Sequence, residues 1–249
     1  MDYFNLIPSE LNNIIISYIS FTDLKSLLNT FSLPNLNWSV IHDYHFNEYK
    51  SISLSDYLNK LSTESLINKL NLNYSIDELL NSNTFNLNDI GLTEIPPEIF
   101  NLNNLQYLSF EYNRITDVPL GISNLTNLIK LELTNNLLVE IPPGIFKLIN
   151  LRELHLNRNY IKQVPPEIGT LSNLRYLDLS SNQIVKINPE IGKLANLIRL
   201  NFNFNYHLEQ IPVEIGKLPR LIRLDLHGSK IKSIDQLPVE VRKVLMINL

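Results

Sequence analysis

From Leu105 onward the apolar residues keep a spacing that neither a single helix nor a single strand explains. Residues 151–171 show it complete, with Leu151, Leu154, Leu156, Ile161, Val164, Ile168 and Leu171 as the apolar positions. One helical face needs intervals of three and four, and one strand face needs intervals of two. A coil that passes through a short strand, a corner and a return segment lets all of them face one axis. The strand is expected at Leu-x-x-Leu-x-Leu, because its last two leucines are two apart and point to the same side.

The phrase recurs in register. Its first positions fall at Ser82, Leu105, Leu128, Leu151, Leu174, Leu197, Leu221 and Val244, with steps of 23 residues except one of 24 between Leu197 and Leu221. The extra residue falls after Asn205, around Tyr206 and His207. The first copy is degenerate, with Ser82 in place of leucine and Ile90 in place of the recurring asparagine. The last copy is a strand only, Val244 to Leu249. Residues 82–249 therefore read as seven repeats plus a terminal strand. Asn113, Asn136, Asn159, Asn182 and Asn205 recur at the corner, where a buried amide can bond backbone groups of its own and the adjacent coil. Ser229 is a weaker substitute. Prolines at 96–97, 119, 142–143, 165–166, 189, 212 and 238 keep the return path out of any central ladder. The Glu-Ile-Gly phrase, as at 167–169, predicts a short helical turn ending at glycine.

Leu-x-x-Leu-x-Leu-x-x-Asn-x-Ile is the leucine-rich-repeat signature. The Ile-Pro-Pro-Glu-Ile-Gly-x-Leu phrase resembles the intracellular Ras-group leucine-rich repeats. The resemblance implies an α/β fold: a right-handed, curved solenoid with a parallel sheet on its concave face, preceded here by a small all-α N-terminal segment. It also implies a role in protein binding and scaffolding.

Residues 1–81 change period. Pro8 opens a helix whose apolar face is Leu11, Ile14, Ile15, Tyr18 and Ile19. Thr22 caps a second helix carrying Leu24, Leu27, Leu28 and Phe31. The run Leu6-Ile7-Pro8-Ser9-Glu10-Leu11, then Ile15, Ile19 and Asp23-Leu24, resembles the first half of an F-box. That implies docking to a Skp1-type adaptor of a cullin ubiquitin ligase through Ile7, Pro8, Leu11, Ile15, Ile19 and Leu24. The second half departs, with Asn29 to Leu33 where the family has a Val-Cys-Lys-x-Trp-like helix, and Trp38 late. A repeat stack also needs its first coil shielded, and an amphipathic cap would show a similar face, so both readings stand. The organisation is thus 1–50 F-box-like, 51–81 helical connector or cap, and 82–249 array. Short helices are expected at 55–61, 63–70 and 76–80. His42 and His45 lie three apart, without a third metal ligand in view.

Charge and composition narrow the chemistry. A net charge of -4 disfavours a general nucleic-acid binder. The absence of cysteine excludes disulfides, thiolate zinc sites and a cysteine nucleophile. No apolar run approaches the ~18 residues of a membrane span, and no secretory signal is legible. An intracellular, cytoplasmic or nuclear protein without cofactor or membrane partner is expected.

Binding is read from the outward positions. Between the two core leucines stand Asn86, Ser109, Glu132, His155, Asp178, Asn201 and Asp225. Before the first of them stand Thr84, Tyr107, Lys130, Glu153, Tyr176, Arg199 and Arg223. Two residues past the pair stand Asp89, Tyr112, Asn135, Arg158, Ser181, Phe204 and Gly228. Aromatic and arginine side chains are frequent interface anchors. The expected partner face is Tyr107, Tyr112, Glu132, His155, Arg158, Tyr176, Asp178, Arg199, Phe204 and Arg223. Its mixed charges suit a protein target of both signs. His155 between Glu132 and Asp178 is the one cluster resembling acid–base chemistry, on a face with no water-excluding pocket. The bare strand at 244–249 invites pairing with another copy. The expected function is a non-catalytic adaptor, bringing a target on the concave face to a Skp1–cullin ligase. The alternative is a plain repeat scaffold.

Overall fold

The structure, a computed structural model, describes residues 54–249; of 54–58 and 61 it describes the backbone alone. Ile7, Pro8, Leu11, Ile15, Ile19, Leu24, His42 and His45 lie outside the described residues.

Helix α1 runs Leu54–Leu70. The two short helices expected there are one, because nothing between Leu61 and Thr63 breaks a helix. Helix α2, Ile76–Asn81, opens on a capping box: the Ser75 side chain accepts from the Glu78 amide at 3.2 Å, and the Glu78 carboxylate accepts from the Ser75 amide at 2.8 Å. Leu66 and Leu79 are fully buried in the same apolar cluster as Phe85 and Leu87 of the first coil.

Each coil then contributes one three-residue strand: β1 Thr84–Asn86, β2 Tyr107–Ser109, β3 Lys130–Glu132, β4 Glu153–His155, β6 Tyr176–Asp178, β8 Arg199–Asn201, β9 Arg223–Asp225 and β10 Met246–Asn248. They form one parallel eight-stranded sheet in that order. The register places Phe85, Leu108, Leu131, Leu154, Leu177, Leu200, Leu224 and Ile247 side by side. From Phe85 to Leu224 this file is buried, as are Leu156 and Leu179. The expected 23-residue register is therefore the observed one, with the 24-residue step between Arg199 and Arg223.

The corner asparagines tie coil to coil. The Asn136, Asn159, Asn182 and Asn205 side chains accept from the amides of Ile115, Leu138, Ile161 and Ile184 in the preceding coil, at 2.9–3.0 Å. Their Nδ2 groups donate to carbonyls of both coils. The Ser229 hydroxyl bonds only Ile231 of its own coil. Its neighbour compensates: Leu208, displaced by the extra residue, donates to its own Asn205 carbonyl at 3.0 Å. The insertion and the missing asparagine thus fall on the same tie.

The return segments hold single-turn 3-10 helices, among them Pro143–Lys147, Pro166–Thr170 and Pro189–Lys193. Glycine does not end these turns, contrary to expectation. Gly169 and Gly192 lie inside them, and Leu171 and Leu194 follow as caps. The glycines allow close approach instead: a Cβ on Gly169 would lie 2.7 Å from the Glu190 carbonyl oxygen of the next coil. A second, two-stranded sheet joins β5, Gln163–Val164, to β7, Lys186–Ile187. It extends because Asn188 stands where the preceding coil has Pro165, and its amide donates to the Val164 carbonyl at 3.0 Å.

Candidate functional site

The strand face alternates with the core by the period of two. The position before each core leucine is half-buried: Tyr107, Lys130, Glu153, Tyr176, Arg199 and Arg223. The position after it is deeper. Ser109, Glu132, Asp178, Asn201 and Asp225 are buried, and His155 is intermediate. Glu132 and Asp178 were expected to meet a partner; both are buried, Glu132 bonded by Lys130 of its own strand and Tyr107 of the adjacent one, Asp178 by Tyr176 of its own strand and Asn201 of the adjacent one.

These residues form two linked groups. In the first, the Tyr107 hydroxyl donates to Glu132. Lys130 pairs with Glu132 at 2.8 Å and with Glu153 at 3.5 Å. It also stands 5.4 Å from the centre of the Tyr107 ring. In the second, Asp178 accepts from the Tyr176 hydroxyl at 3.1 Å, the Ser180 hydroxyl at 2.6 Å and Asn201 Nδ2 at 3.1 Å. Arg199 lies over the Tyr176 ring at 5.3 Å. Asp225 receives Arg223 Nε at 2.8 Å and Arg199 Nε at 3.4 Å. The His155 and Tyr176 rings, 4.8 Å apart, join the two groups.

The titrations follow from this packing. Burial pushes Glu132 upward, but hydrogen bonds from Lys130 and Tyr107 outweigh it and hold the carboxyl below its ordinary value. Burial, then the Asp178 charge, pushes the Tyr176 hydroxyl up to about 12. Both tyrosines are neutral donors at neutral pH. His155 belongs to no acid–base relay. Its Nε2 is buried without a hydrogen-bond acceptor, 3.6 Å from Glu153, while Glu132 and Asp178 are engaged elsewhere. Among the described residues no cluster of three or more His, Asp or Glu side chains could hold a metal ion.

Tyr112, Arg158 and Phe204 form a separate row at the trailing ends of the strands. Asp89, Tyr112, Asn135, Arg158, Ser181, Phe204 and Gly228 all have positive φ, from 52 to 76°. Such a column is costly for residues other than Gly or Asn, and it turns each coil out of its strand. Phe204 packs over Gly228, whose absent Cβ would lie 2.8 Å from its ring. Tyr112 and Phe204 remain about half exposed.

The leading edge of the strands was not read from the sequence. Asn127, Asn150, Asn173 and Asn196 each donate, at 2.9 Å, to a carbonyl one coil back. With Arg152 and Arg175 they line a groove of about 330 Å³. The signal was present as an Asn-Leu dipeptide at 104–105, 127–128, 150–151, 173–174 and 196–197, ahead of five of the strands.

Comparison with known proteins agrees with this geometry. The family described as leucine rich repeat matches residues 126–184, 149–205 and 172–231, and that described as leucine rich repeats in two copies matches 103–144. Together they span more than half of the chain. The chain belongs to the leucine-rich-repeat family. Among solved structures it is similar to a leucine-rich-repeat protein of Leptospira interrogans, at 33% identity and TM-score 0.63, over 72% of this chain and 51% of that one. It is similar to an internalin of Listeria monocytogenes, at 25% identity and TM-score 0.58, over 70% and 49%. A third likeness is to the leucine-rich-repeat ectodomain of a plant membrane receptor kinase of Arabidopsis thaliana, solved in complex with Casparian strip integrity factor 2, at 28% identity and TM-score 0.52, over 63% and 19%. The chain spans about half the length of the first two. No curated protein sequence matches it. Among the described residues no helix is long and apolar enough to cross a membrane.

Proposed function

We propose that this leucine-rich-repeat chain is a non-catalytic protein-binding module whose partner seats on the strand face. The half-buried file Tyr107, Lys130, Glu153, Tyr176, Arg199 and Arg223 carries the reading. Five of these six side chains are held by Glu132, Asp178 and Asp225, and Glu153 meets Lys130, so little conformational entropy is lost on binding. Tyrosine and arginine held this way are effective anchors. The plant receptor ectodomain, solved in complex with Casparian strip integrity factor 2, lends the family analogy.

The finer role is that of a substrate receptor joined to a Skp1-type adaptor through Ile7, Pro8, Leu11, Ile15, Ile19 and Leu24. Its support is the F-box-like run in the sequence. Pull-down of the full chain with a purified Skp1-type protein tests this. Retention by wild type and its loss from Pro8→Ala/Leu11→Ala is the expected result; no retention by wild type removes the ligase role. The binding face is tested separately. A protein retained from the native cell by wild type should be lost from Tyr176→Ala/Arg199→Ala, and retention by both would refute the strand face.

A further inference from the structure

Four consecutive coils each carry an arginine at the leading edge of the sheet: Arg152 and Arg175 just precede β4 and β6, and Arg199 and Arg223 open β8 and β9. They make up half of the eight arginines of a chain whose net charge is -4. Among the described residues Arg152 and Arg175 make no ion pair. Arg199 and Arg223 share one carboxylate, Asp225, whose side chain is fully buried. In these coils the other strand-face acids are occupied: Asp178 is buried under Tyr176, and Glu153 pairs with Lys130. Against these four arginines stand three strand-face carboxylates, Glu153, Asp178 and Asp225, and none of them pairs with Arg152 or Arg175. Arg152 and Arg175 stand side by side just ahead of the neighbouring strands β4 and β6, the Arg175 amide donating to the Arg152 carbonyl at 2.8 Å, so an anion between them would relieve their mutual repulsion.

The rest of the stripe is shaped for an extended chain. Arg152 and Arg175 line the groove with the asparagine ladder, whose amides keep an unused N–H and a carbonyl oxygen. In the next two coils the same row changes chemistry: Ile198 and Ile222 are 38% and 44% exposed beside Arg199 and Arg223. Four strands ~4.8 Å apart span ~14 Å, the length of four or five extended residues.

We propose that the leading edge of coils 4 to 7 binds an acidic segment of a partner protein, its carboxylates at Arg152 and Arg175 and an apolar side chain over Ile198 and Ile222. This deepens the strand-face reading and rests on it. A protein segment is favoured over a nucleic acid because half the row is apolar and the chain as a whole is negative.

The test uses the full chain and fluorescence anisotropy with a labelled peptide, Gly-Asp-Glu-Asp-Leu-Leu-Gly, and its Asn-Gln-Asn counterpart. The acidic peptide is expected to bind about tenfold more tightly or better, with affinity falling as salt rises. Arg152→Glu/Arg175→Glu should weaken it about tenfold or more, and Arg152→Gln/Arg175→Gln by a smaller factor, with the thermal midpoint unchanged because both residues are exposed. Equal binding of the two peptides, binding of neither, or no effect of either double variant would overturn the proposal. So would tighter binding of a mixed-sequence single-stranded RNA. A native partner lost from Tyr176→Ala/Arg199→Ala but kept by Arg152→Glu/Arg175→Glu would refute this inference and leave the strand-face reading standing.

Discussion

Asn159 accepts the Leu138 amide of the preceding coil at 3.0 Å. Both partners are buried, and no water can replace the bond. Asn159→Ala orphans that amide and the carbonyls its Nδ2 serves, so a loss of about 1–3 kcal/mol is expected. Asn173→Ala removes one exposed bond of the leading-edge ladder and should cost less than about 1 kcal/mol. Urea unfolding of the two variants measures the difference; equal losses would contradict the assigned burial.

Leu177 is fully buried between Leu154 and Leu200 on the neighbouring strands. Leu177→Ala should cost about 2–5 kcal/mol, because adjoining coils cannot collapse into the cavity without shifting their own register. Ile149→Ala, at a 58% exposed position, should change stability by less than about 0.5 kcal/mol. A neutral Leu177→Ala in chemical denaturation would refute the register.

Tyr112 holds a φ of 58°, a conformation that a β-branched side chain resists most. Tyr112→Val should be less stable than Tyr112→Gly by about 1–2 kcal/mol. Both variants remove the ring, so the comparison isolates the backbone. Thermal melts of the pair decide it, and equal midpoints would mean the turn is not left-handed.

Glu132 is held below its ordinary carboxyl value of 4.5 in the folded chain. A lowered folded value contributes stability that is present above 4.5 and is lost as pH falls through the folded value. Glu132→Gln should therefore show a shallower loss of melting temperature between about pH 5 and about pH 3 than wild type. Parallel pH profiles would show that Lys130 and Tyr107 do not stabilise the carboxylate.

Much of this architecture was legible in one dimension. The leucine spacing determined the strands, the core file and the coil-to-coil register, because each coil repeats the same local problem and has one way to bury its apolar side. The corner asparagines were legible for the same reason, and so was the extra residue after Asn205, from the one 24-residue step. The likeness to an F-box belongs to the sequence alone. What the tertiary structure decided are relations between residues about 23 apart, which no local pattern ranks. Glu132 and Asp178 were read as surface acids, and only stacking showed that Tyr107 and Asn201 of the neighbouring strands engage them. Gly169 was read as a helix stop, and only the neighbouring coil showed that it makes room for Glu190. Arg152 and Arg175 drew no notice in sequence. Their meaning depends on which charges stand beside them, and that is set by the sheet, where residues one repeat apart become neighbours.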